Sequence, residues 1–243
     1  MKAHQLWIVA VLALAACGGG GSSSDGMNPD GNNNGNDGEP PPPPPGKRSI
    51  SGTAAEQGQG GATPTADVAI AVFDVADEAT ALASATSDAQ GNYSLEIDDS
   101  HTDVFVKATK ADFVDTFAYP AGTLSGATAK IDANMLTTNT YGLLLNFIGG
   151  SMSKGMITLN VTDAGGTAVA GATVDSSPAA GKVRYLSGGF PSGTDGTDDS
   201  GVAFLVDVPP GNATLSAMKS GSTFKSHQVN ARAMTFTTTV IAP

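Results

Sequence analysis

The sequence predicts an all-β protein, two tandem β-sandwiches carried behind a disordered N-terminal tether. Three observations predict it. Short runs across residues 47–243 alternate apolar with polar side chains, clusters of Gly, Asp, Asn and Ser separate those runs, and one three-part pattern of strand and turn residues occurs twice. Period-two alternation turns one face of a strand toward a core, and closely spaced turn formers reverse the chain between strands.

Residues 1–16 carry Lys2, an apolar run over residues 6–14 and small residues up to Cys17. That order is the order of a signal peptide, and the run is well short of the ~20 residues that span a bilayer as a helix. Leu14-Ala15-Ala16-Cys17 resembles the lipobox of bacterial lipoproteins. The resemblance implies cleavage before Cys17 and a lipid anchor on it, as an S-diacylglycerol and N-palmitoyl cysteine. Cys17 is the only cysteine in the 243 residues, so a disulfide within the chain is excluded. Gly18 follows it rather than Asp. By resemblance to proteobacterial sorting, this implies the outer membrane, on its periplasmic face or at the cell surface.

Residues 17–46 read as the tether. A Gly/Ser run is followed by an Asn/Asp/Gly stretch and then by six prolines at residues 40–45, with Met27 the one large apolar side chain. No core can offset the entropy of ordering such a segment. The prolines favour a stiff polyproline rod of about 3.1 Å per residue, roughly 19 Å in all. Asp30, Asn32, Asn34 and Gly35 match the opening of a calcium loop, but its twelfth position is Pro41 instead of a bidentate Glu. A calcium site there is rejected.

Without residues 1–16 the chain has eleven Lys and Arg against twenty-three Asp and Glu, a formal charge of −12, with two histidines and no tryptophan. Such a surface repels phosphate backbones, so no nucleic-acid partner is expected.

The strands follow in order. Val68, Ile70 and Val72 alternate, as do Tyr93, Leu95 and Ile97, then Val104 and Val106; Ile157, Leu159 and Val161 share one face, and residues 234–241 are rich in β-branched side chains. The pattern divides the chain into a first sandwich at 47–140, an apolar connector at 141–152 and a second sandwich at 153–243. Within the connector, residues 141–148 form the most apolar stretch of the exported portion. They read as a buried strand or short helix packing one sandwich against the other, the alternative being an exposed patch that docks a partner.

The repeat sets Asp67-Val68-Ala69-Ile70 against Gly171-Ala172-Thr173-Val174. It sets Ser87-Asp88-Ala89-Gln90-Gly91 against Thr197-Asp198-Asp199-Ser200-Gly201, and residues 104–108 against residues 213–217. With Pro209-Pro210-Gly211, these motifs resemble the carboxypeptidase-regulatory-like modules of bacterial surface proteins, which have an Ig-like, prealbumin-like (transthyretin-like) sandwich fold. The second half carries the fuller match. In the first, Asp67-Val68 stands for Gly-Ala and the Pro-Gly element is missing. The resemblance implies non-catalytic accessory domains, and Asp88 and Asp198 read as turn residues rather than as catalytic or metal-binding ones.

No catalytic constellation stands out. His101 and His227 lack a surrounding motif, no G-x-S-x-G elbow is present, and both histidines read as solvated surface residues. No zinc or cofactor site is expected. Asp195, Asp198 and Asp199 form a candidate cation loop, read in preference as an acidic solvated hairpin. The chain is therefore expected to be a non-enzymatic lipoprotein of the envelope or surface, serving as a structural or protein-interaction module with an envelope protein as partner. The alternative is a carbohydrate-binding lipoprotein or an accessory subunit of a secreted hydrolase. For sugar stacking, Tyr119, Tyr141 and Tyr185 would have to serve.

Overall fold

The computed structural model describes residues 46–58 and 61–243. The predicted signal peptide, the lipidation site at Cys17, the tether up to residue 45 and the rejected calcium loop lie outside the described residues. The fold is all-β with sandwich-like layers. The first half contains β1 (Lys47–Gly58), β2 (Gly61–Pro64), β3 (Ala69–Asp74), β4 (Asp77–Thr86), β5 (Asn92–Asp98), β6 (Val104–Thr109), β7 (Thr116–Ala118), β8 (Thr128–Lys130) and β9 (Ala133–Met135). Helix α1 (Thr138–Ile148) follows. The second half contains β10 (Gly155–Val161), β11 (Thr173–Ser177), β12 (Lys182–Ser187), β13 (Phe190–Gly193), β14 (Val202–Val208), β15 (Gly211–Lys219), β16 (Ser222–Thr223), β17 (His227–Ala231) and β18 (Phe236–Ile241).

The halves repeat one pairing scheme. In each, the opening strand pairs antiparallel with the strand after the Asp-Gly turn, β1 with β5 and β10 with β14. Likewise β3 pairs with β6 and β11 with β15, which then pair with β7 and β17. The closing strand returns parallel to the opening one, as β8 and β9 beside β1 and as β18 beside β10.

The repeat is joined asymmetrically. A central nine-stranded sheet runs β13-β12-β14-β10-β18-β7-β6-β3-β4. It takes the β3 layer from the first half and the β10 layer, counterpart of β1, from the second. The join is a parallel pairing of β7 with β18, with Thr116 opposite Phe236, Phe117 opposite Thr237 and Ala118 opposite Thr238. The strand between the third-strand layer and the Asp-Gly turn breaks the repeat: β4 pairs with β3, whereas β12 pairs with β14. Both choices lengthen the central sheet.

Alternation then separates three cores. On one face of the central sheet Val72, Val104 and Val106 pack with Ile50, Tyr93, Leu95 and Met135 of the five-stranded sheet. On the opposite face Ile157, Leu159 and Leu205 pack with Val174, Leu215 and Val229 of the four-stranded sheet. Phe105, Phe117 and Tyr119 from the first half join that second core. Each such side chain contributes about 1.5–3 kcal/mol when removed from water.

Helix α1 covers the remaining stretch of the first face, with Tyr141, Leu144, Leu145 and Ile148 against Met156, Val202, Phe204, Val206 and Phe236. The Thr137 hydroxyl accepts from the Thr140 amide at its start, and Gly149 closes it in the left-handed conformation. Its outer side leaves Leu143 and Phe147 40% and 48% exposed.

Candidate functional site

The duplicated turns can be compared bond by bond. In the first half the Ser87 hydroxyl accepts from the Val68 amide at 2.9 Å and donates to the Thr65 carbonyl at 2.8 Å. In the second the Thr197 hydroxyl accepts from the Ala172 amide at 3.0 Å and donates to the Val169 carbonyl at 2.6 Å. Asp67 and Gly171 both have positive φ, 55° and 74°, so Asp at the Gly position keeps the conformation. The Asp88 carboxylate caps the amides of Gln90 and Asn92 at 2.9 and 2.7 Å, and Asp198 caps that of Ser200 at 3.0 Å. These carboxylates are engaged in building their turns.

A second cluster lies where the halves meet. Arg232, just past β17, places its guanidinium 3.9 Å from the centre of the Phe117 ring and 5.3 Å from that of Phe105. The same group pairs with Glu78 of β4 at 2.7 Å and donates to the Tyr119 hydroxyl at 3.2 Å. Asn230 donates its side-chain amide to Glu78 at 2.9 Å and its backbone amide to Tyr119 at 3.3 Å. Burial alone would raise the Glu78 carboxyl, but the Arg232 and Asn230 bonds hold it below its ordinary value. Burial raises the Tyr119 hydroxyl, opposed by Arg232. Sequence reasoning missed Glu78, Asn230 and Arg232, which stand alone in sequence without a motif.

His227 corrects the expectation of a solvated residue. Within β17 the inward positions are His227, Val229 and Ala231, so strand alternation puts the imidazole on the core face. It is 7% exposed, lies 6.2 Å edge-on to Tyr119 and has no hydrogen-bond partner at Nε2. Desolvation lowers its pKa below the ordinary histidine value. His101 is partly buried rather than freely solvated, with Nδ1 2.7 Å from Asp74 Oδ2. That hydrogen bond is the main cause lowering the Asp74 carboxyl. Among the described residues no hydroxyl is hydrogen-bonded to either imidazole.

Asp195 accepts from the Thr194 hydroxyl at 3.1 Å, and Asp198 is held by Ser200. Among the described residues no group of three His, Cys, Asp or Glu side chains converges in a way that could hold a metal ion. The proposed sugar platforms are corrected as well. Tyr119, Tyr141 and Tyr185 are 3%, 1% and 3% exposed, because each fills a core, and the Tyr185 hydroxyl accepts from the Val174 amide of the facing sheet at 3.0 Å. A buried ring cannot stack on a sugar.

Fold and site together define a duplicated β-sandwich protein in which a polar cluster of Glu78, Tyr119, Asn230 and Arg232 ties the halves together. No family model matches the chain. No curated protein matches it. Among solved structures it is similar to a shaft pilin from Lactobacillus rhamnosus GG at 14% identity, covering 81% of this chain and 98% of that one, with a TM-score of 0.27. It is also similar to a minor pilin of Streptococcus agalactiae at 13% identity, covering 80% and 94%, with a TM-score of 0.28. The TIE protein of Bacillus anthracis matches at 11% identity over 81% of this chain, which spans 34% of that protein, with a TM-score of 0.27. No helix among the described residues is long and apolar enough to cross a membrane.

Proposed function

We propose that the chain is a non-enzymatic lipoprotein of the cell envelope, anchored through acyl chains on Cys17. Its carboxypeptidase-regulatory-like modules act as a spacer or docking platform for another envelope protein. The observation that carries the scaffold reading is the seam, where Glu78, Tyr119, Asn230 and Arg232 spend their polar groups on one another across the two halves. The anchor rests on the lipobox-like Leu14-Ala15-Ala16-Cys17, and the outer-membrane placement on Gly18. More than one acyl chain on that cysteine gives stable attachment, because burial contributes about 0.8 kcal/mol per methylene.

Labelling with a fatty-acid analogue, followed by mass spectrometry of the amino-terminal peptide, tests the anchor. A diacylglyceryl and acyl modification on Cys17, lost together with membrane retention in Cys17→Ser, is the expected result. An unmodified cysteine in a membrane-retained chain refutes it. Crosslinking in intact cells then tests the platform, which requires a reproducible envelope protein partner.

A further inference from the structure

The two ends of the nine-stranded sheet are finished differently. At one end β13 is four residues long and contains Pro191. Shortness and proline are the usual ways a native sheet blunts an edge, because an unpaired row of N–H and C=O groups templates another strand. At the other end β4 is ten residues long with neither proline nor lysine. It pairs with β3 on one side and, among the described residues, with no strand on the other. The Asp77 carboxylate occupies the amides of Ala79 and Thr80 at 3.0 and 3.3 Å. Residues 81–86, Ala-Leu-Ala-Ser-Ala-Thr, remain as an uncharged segment, with Ala81, Ser84 and Thr86 exposed.

We propose that this edge is a self-association site, at which a second copy of the chain adds its own β4 antiparallel and two nine-stranded sheets become one. The uncharged run 81–86 is self-complementary and so admits a second copy, and charge selects the direction. The chain carries a formal charge of −11, so two copies repel wherever carboxylates meet. An antiparallel pairing centred between Ala83 and Ser84 sets Ala81 opposite Thr86 and Leu82 opposite Ala85. Glu78 and Asp77 then lie past the end of the partner's β4 at Thr86, so no carboxylate faces another. A parallel pairing would stack Asp77 on Asp77 and Glu78 on Glu78, which is destabilising. Edge-to-edge joining is already the device that unites the halves, at β7 and β18. Main-chain bonds between small side chains make a weak contact, which confinement to one membrane would strengthen; only that strengthening rests on the anchor reading.

The test uses residues 18–243, which keep every described strand and dispense with lipid. Sedimentation equilibrium from about 1 µM to about 1 mM covers the affinities of such a contact. The weight-average mass is expected to climb from one chain toward two. Ala81→Lys/Thr86→Lys, which sets lysine opposite lysine, is expected to stay monomeric throughout. Mixing it with Ala81→Glu/Thr86→Glu is expected to restore a heterodimer. A monomer across the whole range overturns the proposal, and so does a dimer indifferent to the lysine pair but lost in Phe147→Lys on the helix. Neither result bears on acylation of Cys17.

Discussion

The guanidinium of Arg232, from the second half of the chain, lies 3.9 Å from the centre of the Phe117 ring in the first. Phe117 also supplies backbone to the β7–β18 join, so one residue is held by both the main-chain and the side-chain links between the halves. Arg232 is largely buried, its side chain 16% exposed. Arg232→Ala removes the stacked cation and leaves Glu78 without its ion pair, a loss expected to reach about 2–3 kcal/mol. Arg232→Lys keeps the charge but not the planar fork and is expected to recover less than half. Urea unfolding of the three proteins checks both, and wild-type stability in Arg232→Ala would remove the seam from the account.

The turn glycines predict matched defects. Gly91 and Gly201 have φ of 76° and 69°, and a Cβ on either would sit 2.5 Å from a carbonyl oxygen, that of Ala54 or Val161. Replacing either with Ala is expected to cost about 1–3 kcal/mol, through both strain and overpacking. Thermal unfolding should show two losses of similar size.

Ser87 and Thr197 offer the polar version of this test. Removing either hydroxyl leaves an amide and a carbonyl without that partner, at about 1–3 kcal/mol per site. Ser87→Ala and Thr197→Val should destabilise alike and, being distant, additively. Denaturant midpoints of the two single variants and the double variant decide it.

His227 predicts the acid side of the stability curve. Its pKa is lowered in the folded chain, so the folded state keeps it neutral while the unfolded state takes up a proton below about pH 6.5. Its contribution is therefore fully present above that pH and falls as the pH drops, by up to about 1.4 kcal/mol per unit. Melting temperatures between pH 7.5 and pH 5 should decline more steeply in the wild type than in His227→Leu. Equal slopes would contradict the burial of a neutral imidazole. Below about pH 4 the lowered Asp74 and Glu78 carboxyls add their own loss as they protonate.

Strand positions were legible because local alternation encodes them. Val68, Ile70 and Val72, then Tyr93, Leu95 and Ile97, then Ile157, Leu159 and Val161 are all buried as their period requires. The turn repeat was legible because Asp and Gly have local conformational reasons to sit there. Pairing across the join was not, since nothing near Thr116 specifies Phe236 as its neighbour. The seam was hidden for the same reason: Glu78 and Arg232 meet only after both halves are placed. His227 was misread because a polar residue outweighed the alternation around it, although Val229 and Ala231 mark the same inward face.

The order of synthesis gives the shared sheet a further consequence. β7 is made early, but its neighbour β18 follows every other strand of the second half. While the chain emerges, the first half carries an unpaired border that nothing yet covers, a hazard for misassembly. Closure therefore comes late, and a stalled or clipped product would expose the very rim that the finished molecule conceals.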